Sequence, residues 1–178
     1  MILLAIDPGF DVTGWALFEH RGKLTPATLQ DALRALVDCG EIVTDTKNSN
    51  SERLAKLGGD IYNFAKRYDD EGAVYYCLDT IAIEMPAYSG DYGNDPKRRK
   101  SVNKLYMAIG AILANTGGVP VLEVRALTTP KETRHGLLEN AARMAGEVLP
   151  VGPGGGKRED AWDAVWLGCQ VLMEGRVR

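Results

Sequence analysis

The sequence predicts a single α/β domain, because apolar runs typical of buried strands alternate with segments of helical periodicity. Residues 1–6 and the middle of residues 80–84 are continuously apolar, which favours strands covered on both faces of a sheet. Elsewhere, leucine, isoleucine and alanine recur every three or four residues, as on the buried face of a helix. The Pro- and Gly-rich stretches at 86–96 and 150–156 are too short for interdomain linkers, so we expect residues 1–178 to form one domain.

Local signals give the order of the elements. Thr25-Pro26 is typical of a helix start, and the pairs Ser49/Glu52 and Thr129/Glu132 have the spacing of capping boxes. In chain order, we expect strands at residues 1–6, 15–18, 40–44, 80–84 and 119–124. We expect helices at residues 25–36, 49–68, 102–113, 129–134, 138–148 and 160–173, with a loop at 86–100.

Composition indicates a soluble cytoplasmic protein. The chain is 45% hydrophobic and 25% charged, and no apolar run approaches the roughly 20 residues of a membrane helix. No basic region precedes the first apolar run, which argues against a secretory signal. Cys39, Cys77 and Cys169 are scattered without CxxC spacing, so we expect reduced thiols and no zinc site.

Charge is unevenly distributed along the chain, although the net charge is only −3. Residues 1–85 carry 8 basic and 14 acidic side chains, whereas residues 86–158 carry 11 basic and 6 acidic ones. The last twenty residues are again acidic on balance. Since local potential steers a polyanion more than net charge does, the basic central third favours nucleic acid as a partner.

Four carboxylates occur where apolar packing predominates. Asp7 and Glu84 each follow a buried strand, and Asp160 and Asp163 lie three residues apart in an apolar helix. That spacing puts the last two on one helix face, with about 5–6 Å between their Cβ atoms. Two structural alternatives stay open: Asp7 could begin an Asp-Pro-Gly turn, and Asp160 could be an N-cap.

A group of four carboxylates needs positive charge, and divalent metal ions supply it. Mg²⁺ prefers hard oxygen ligands and binds through carboxylates, water and substrate phosphate. Two such ions about 3.5–4 Å apart activate a water and stabilise the leaving oxygen of a phosphodiester. An acidic metal site beside a basic region therefore predicts hydrolysis of a nucleic-acid backbone.

Three motifs in this order resemble those of RuvC-type Holliday junction resolvases, a family with bacterial and bacteriophage members. They are residues 5–9 with Thr13-Gly14, residues 82–84, and residues 160–164. The resemblance implies an RNase H-like fold: a mixed five-stranded sheet, its first three strands antiparallel and its last two parallel, flanked by helices. It implies a homodimer that cleaves four-way DNA junctions symmetrically in recombination and repair, with two Mg²⁺ or Mn²⁺ ions per active site. By position, Asp7, Glu84, Asp160 and Asp163 would be the catalytic metal ligands.

The resemblance also indicates DNA-binding residues. Arg134, four residues after Pro130, matches a basic family position, Arg143 is a looser match, and Lys131 lies beside the first. The family inserts an aromatic side chain from the loop after the glutamate, which makes Tyr88 and then Tyr92 the candidates. Both tyrosines could equally pack within their own loop. The remaining expected DNA contacts are basic: Lys97, Arg98, Arg99, Lys100 and Lys157.

Three further features receive simpler interpretations. Lys157 follows Gly154–Gly156, but Val151 and Arg158 break the Walker A pattern, so we expect a phosphate contact and no nucleotide cofactor. His135 lies in polar surroundings and is expected at the surface, with DNA contact as the alternative. The stripe along residues 102–113 is expected in the core, and the resemblance suggests that part of it is a dimer interface.

Alternative functions are other RNase H-fold nuclease activities on flaps, forks or RNA–DNA hybrids, and non-catalytic junction binding. An actin-like ATPase or half of a sugar kinase also opens with an apolar strand followed by Asp, Gly and Thr. Such proteins need a second phosphate loop and a longer chain, so this class is disfavoured.

Overall fold

A mixed five-stranded sheet forms the centre of the protein. The computed structural model describes residues 1–21, 28–66, 78–86, 96–125, 129–149 and 158–176. The strands lie in the order β3-β2-β1-β4-β5; β1, β2 and β3 pair antiparallel, whereas β4 runs parallel to β1 and to β5. Their bounds are Ile2–Asp7 (β1), Val12–Glu19 (β2), Leu36–Val43 (β3), Thr80–Met85 (β4) and Val121–Arg125 (β5). The predicted sheet topology is confirmed.

Helices cover both faces of the sheet, so the inner strands are apolar without a break. In β1, Leu3 and Ala5 contact the cluster that includes α1, α4 and α5, whereas Leu4 and Ile6 contact the cluster that includes α2 and α3. The helix bounds are Leu29–Arg34 (α1), Asn50–Lys66 (α2), Pro96–Ala114 (α3), Lys131–Ala145 (α4) and Glu159–Met173 (α5). None of the helices that the structure describes is long and apolar enough to cross a membrane.

The first helix is shorter than predicted. It begins at Leu29, where Thr28 and Asp31 form a reciprocal capping box; Thr25 and Pro26 lie outside the described residues. Leu36, predicted to end this helix, instead pairs with Phe18 of β2 as the first residue of β3. Strand pairing thus overrides the helical spacing of Leu36, and β3 begins four residues earlier than predicted.

The region around α4 is one helix and not two. Gly136 lies inside it, and a glycine there costs only about 1 kcal/mol relative to alanine, which tertiary packing exceeds. The predicted Thr129/Glu132 capping box is wrong, because Pro130 is the N-cap and makes no side-chain cap bond. The helix ends at Gly146, whose φ of 76° is left-handed. By contrast, the Ser49/Glu52 box before α2 is confirmed by three hydrogen bonds of 2.7–3.3 Å.

Candidate metal and nucleic-acid site

Asp7 and Glu84 lie side by side at the carboxyl ends of two parallel strands. Ile6 pairs with Ile83, so the next residues along β1 and β4 are neighbours in the sheet. They share a face with Ala5 and Ala82, which pack in the cluster beneath α5. The strand ends thus bring two carboxylates from distant parts of the sequence to one edge of the sheet.

The first turn of α5 lies directly on β2 beside Asp7. Gly14 pairs with Asp7, and a Cβ at Gly14 would come within 1.9 Å of the main-chain oxygen of Asp160. Only glycine permits this close approach, which brings Asp160 and, one turn later, Asp163 toward the strand ends. The N-cap of α5 is Arg158, so the alternative that Asp160 is the capping residue is wrong.

Asp7 lies within electrostatic range of the other three carboxylates. Burial raises the pKa of Asp7 well above its usual range, and the charges of Glu84, Asp163 and Asp160 raise it further. Burial also raises the pKa of Asp160, with Lys131 opposing the rise. Such shifts mark a place where negative charge lacks sufficient compensation, as is common in functional sites.

Asp163 is only 4% exposed and is bound by three basic side chains of α4. Arg134 donates a 2.7 Å hydrogen bond to its Oδ1, and His135 Nε2 lies 3.1 Å from the same oxygen. Lys131 Nζ lies 3.2 Å from Oδ2 and also 3.0 Å from Glu159 Oε2. We call Asp163 with Lys131, Arg134 and His135 the Asp163 cluster; it fastens α4 to α5.

The residues fit a divalent cation by their chemistry, although the side chains are not yet arranged around one. In the part of the chain that the structure describes, no three His, Cys, Asp or Glu side chains form a ready-made metal site. Asp163 faces the basic residues of α4, which explains why its carboxylate does not form such a site with the other acids. The four acids offer the hard oxygen atoms that Mg²⁺ prefers, and the ammonium group of Lys131 already stands among them as a positive charge.

The predicted DNA-binding residues are spread over several surfaces. Arg99 and Lys100 are exposed on the first turns of α3, which begins at Pro96; the basic run is therefore helical and not in a loop as predicted. Arg143 is exposed on α4 and donates to Asn140, whereas Arg134 is buried in the Asp163 cluster. Lys97 and Arg98 are described only by their backbone. Tyr88, Tyr92 and Lys157 lie outside the described residues.

Two site residues were missed by sequence reasoning. His135 is 6% exposed and not at the surface as predicted; its spacing to the buried Leu138 and Ala142 was a signal that could have found it. Glu41 of β3 pairs with Gly14 and raises the pKa of Asp160. No sequence signal gave the register of β3, which aligns Glu41 with Gly14 and Asp7.

Comparison with known proteins gives a consistent result. No protein-family model matches the chain. A protein named crossover junction endodeoxyribonuclease RuvC from Synechocystis is 28% identical over 109 residues, which are 61% of this chain and 52% of that protein. A RuvC from Ehrlichia chaffeensis is 24% identical over 156 residues, or 85% of this chain and 84% of the relative.

The fold has solved counterparts over nearly its whole length. The structure of T. thermophilus RuvC in complex with a Holliday junction substrate matches with a TM-score of 0.68 and 16% identity, covering 99% of this chain and 95% of that one. The yeast mitochondrial Holliday junction resolvase Ydc2 matches with a TM-score of 0.54 and 10% identity, covering 97% and 82%.

The chain resembles RuvC-type resolvases in sequence and in fold. At these identities the solved structures establish the RNase H-like fold alone. In the alignment with the Synechocystis relative, the present chain spans only about half of that protein's length.

Proposed function

We propose that the protein is a metal-dependent, structure-selective endonuclease that resolves four-way DNA junctions by symmetric hydrolysis of phosphodiesters. The observation that carries the proposal is the convergence of Asp7, Glu84, Asp160 and Asp163 from three elements at one sheet edge. An acidic group of this kind, on a RuvC-like fold, suits catalysis of phosphodiester hydrolysis more than simple DNA binding. We place the activity in the bacterial cytoplasm, for a host or bacteriophage protein.

In this proposal, Asp7, Glu84, Asp160 and Asp163 hold two Mg²⁺ or Mn²⁺ ions. When bound, the ions supply activation of water and stabilisation of the leaving oxygen. The chain's own residues position the carboxylates: strand pairing fixes Asp7 beside Glu84, and the absence of a Gly14 side chain lets α5 reach them. Arg134 and His135 hold Asp163 in one orientation.

DNA binding would extend from the metal site over basic surfaces. Exposed Arg99 and Lys100 begin α3, the helix that follows β4 and Glu84 in sequence, and Arg143 offers a further contact on α4. We retain Lys97, Arg98, Lys131 and Lys157 as proposed phosphate contacts, and Tyr88 or Tyr92 as the aromatic that enters the junction. Arg134, which was also expected to contact phosphate, is buried and bonded to Asp163, so we propose that it positions this carboxylate instead. Contacts of this kind should make binding strongly dependent on salt.

Symmetric cleavage requires two active sites, and α3 offers a surface for a second copy of the chain. Tyr106, Met107 and Leu113 are 36–41% exposed, and with Gly110 they follow the helical spacing of a single face. Another face of α3 packs in the core through Ala108, Ile109 and Ile112, so only part of the stripe predicted along residues 102–113 lies in the core. Exposed apolar side chains around a small residue suit close packing of two helices.

The deciding experiment is cleavage of branched DNA by the purified protein. We expect paired, symmetric nicks in a labelled four-way junction with Mg²⁺ or Mn²⁺, and none with EDTA. Flap, fork, linear duplex and RNA–DNA hybrid serve as competing substrates. Preferential cleavage of one of these would keep the nuclease and change its substrate.

Variants separate catalysis from binding. Asp7→Asn and Glu84→Gln should abolish cleavage while junction binding in a gel-shift assay remains near that of the wild type. Asp60→Asn, at an exposed position on α2 that pairs with Lys56, is the matched control and should cleave normally. If Asp7→Asn retained cleavage, the catalytic assignment would be wrong.

The interface and the basic surface have separate tests. Met107→Glu should shift the protein from dimer to monomer in sedimentation velocity and remove paired cleavage; an unchanged dimer would exclude this face. Replacing Arg99 and Lys100 by Gln should weaken junction binding and flatten its dependence on salt. An unchanged salt slope would remove the start of α3 from the DNA interface.

A further inference from the structure

Lys131 lies between buried Asp163, one of the four carboxylates of the proposed site, and Glu159 at the surface. Its Nζ lies 3.2 Å from buried Asp163 Oδ2 and 3.0 Å from Glu159 Oε2, whose side chain is 61% exposed. The lysine side chain itself is 38% exposed, so it reaches both solvent and the site. Arg134 and His135 are held differently, since both are buried and contact the other oxygen of Asp163.

The same ammonium group acts on the acids that it does not contact directly. It lowers the pKa of Asp7 and of Asp160, against the effects of burial and of the neighbouring carboxylates. Partial burial works to lower the pKa of Lys131, but its bonds to Glu159 and Asp163 outweigh that effect and raise it. By its contacts, Lys131 supplies a counter-charge to Asp163 and Glu159, and its charge also acts on Asp7 and Asp160.

We propose that Lys131 is the internal counter-ion of the carboxylate group in the metal-free protein, and that a divalent cation binds by displacing its ammonium group toward Glu159. This inference rests on the proposed metal site and adds to it the residue that sets cation affinity. Glu159 lets the displaced lysine remain paired at the surface, while Arg134 continues to hold Asp163. Binding of the metal and release of Lys131 are then coupled, because the cation takes the place of the ammonium group.

The consequence is that the lysine opposes cation binding. A positive charge 3.2 Å from Asp163, one of the proposed ligands, would repel the incoming ion, and the lysine must also give up this contact. Removal of the charge should therefore increase affinity, even though Lys131 lies within the region proposed to bind DNA. Loss of a simple phosphate contact would not have this effect.

The test measures Mn²⁺ binding to the full, EDTA-treated chain by isothermal titration calorimetry, without DNA. Lys131→Met keeps the aliphatic stem and should bind Mn²⁺ about tenfold more tightly than the wild type. Lys131→Arg should bind near the wild-type value. Glu159→Gln, an exposed substitution with little risk to folding, should bind about threefold more weakly because the displaced lysine loses its partner.

Lys56→Met is the matched control, since Lys56 pairs with Asp60 at 2.6 Å on exposed α2; its affinity should be unchanged. If Lys131→Met and Glu159→Gln both bound Mn²⁺ like the wild type, the exchange would be refuted while the proposed function stood. If the wild type bound no Mn²⁺, or bound it equally after Asp7→Asn, the proposed metal site itself would fail.

Discussion

Arg53 and Asp163 are both buried, and their charges are neutralised in different ways. Arg53 of α2 is 4% exposed and donates to the main-chain oxygen of Phe10, to the Thr44 hydroxyl and to the Asp11 carboxylate. Its guanidinium carbon also lies 4.3 Å from the centre of the Phe10 ring. We call these residues the Arg53 anchor; they fix the turn between β1 and β2, just after Asp7.

The Asp163 cluster instead neutralises a buried anion with three basic side chains, of which Lys131 is partly exposed. The positive charge of Lys131 also acts on Asp7 and Asp160. The partners of Arg53 are a carbonyl, a hydroxyl and an exposed carboxylate. We therefore expect the neutralisation of its charge to depend little on the solution conditions. The difference teaches that partners that are mostly neutral hold a buried charge in a fixed position, whereas charged partners form a site that responds to cations.

The largest effect on stability should come from Asp163→Ala. This change leaves Arg134, whose side chain is 10% exposed, without its carboxylate, and a broken buried pair costs about 3–5 kcal/mol. Urea denaturation in EDTA measures the loss. Asp60→Ala, which breaks an exposed pair, should lose at most about 0.5 kcal/mol. A loss below about 1 kcal/mol for Asp163→Ala would mean that the cluster is not a buried charge pair.

Arg53→Met should cost less, about 2 kcal/mol, although Arg53 is equally buried. The variant removes hydrogen bonds to Phe10 and Thr44 but leaves no buried charge, since the Asp11 side chain is 62% exposed. The Thr44 hydroxyl still donates to the Phe10 oxygen at 2.8 Å. The same denaturation series compares the two variants, and a greater loss for Arg53→Met than for Asp163→Ala would reverse the comparison.

Asp7→Asn should stabilise the metal-free protein at neutral pH by about 1 kcal/mol, while it abolishes the proposed cleavage. The raised pKa of Asp7 means that the folded state binds its proton more tightly than the unfolded chain does. This contribution to stability is complete below about pH 4 and is lost as the pH rises through the raised value. The gain from Asp7→Asn should therefore appear only as pH rises, in parallel pH titrations of unfolding in EDTA. A gain that was constant with pH would have another cause.

Local patterns were sufficient for one part of the fold and site. Asp7 and Glu84 end apolar strands, and Asp160 and Asp163 share an apolar helix, so strand and helix periodicity predicted their elements. Pro96 as the first residue of α3 was a recognisable start signal, yet the basic run after it was interpreted as a loop. The prediction was wrong because the composition of this segment was given more weight than the helix-start signal of Pro96.

The remaining features depend on contacts between distant residues. Arg53 looks like an ordinary charged residue of an amphipathic helix, and only the arrival of the β1–β2 turn buries it. Glu41 joins the site through the register of β3, and Lys131 through the packing of α4 on α5. Sequence spacing within one element does not contain this information, so the elements that carry the carboxylates were predictable and the contacts with their counter-charges were not.

The smallest effect should come from Asp11→Asn, which removes the carboxylate that is paired with Arg53. An exposed carboxylate is well solvated, so we expect a loss of at most about 0.5–1 kcal/mol despite the buried guanidinium. A double-mutant cycle with Arg53→Met isolates the pair from the hydrogen bonds to Phe10 and Thr44. A coupling energy that falls with added salt and stays below about 1 kcal/mol would place the strength of the anchor in its neutral acceptors. A coupling of 3 kcal/mol or more would instead make the Arg53 anchor a charge pair of the same kind as the Asp163 cluster.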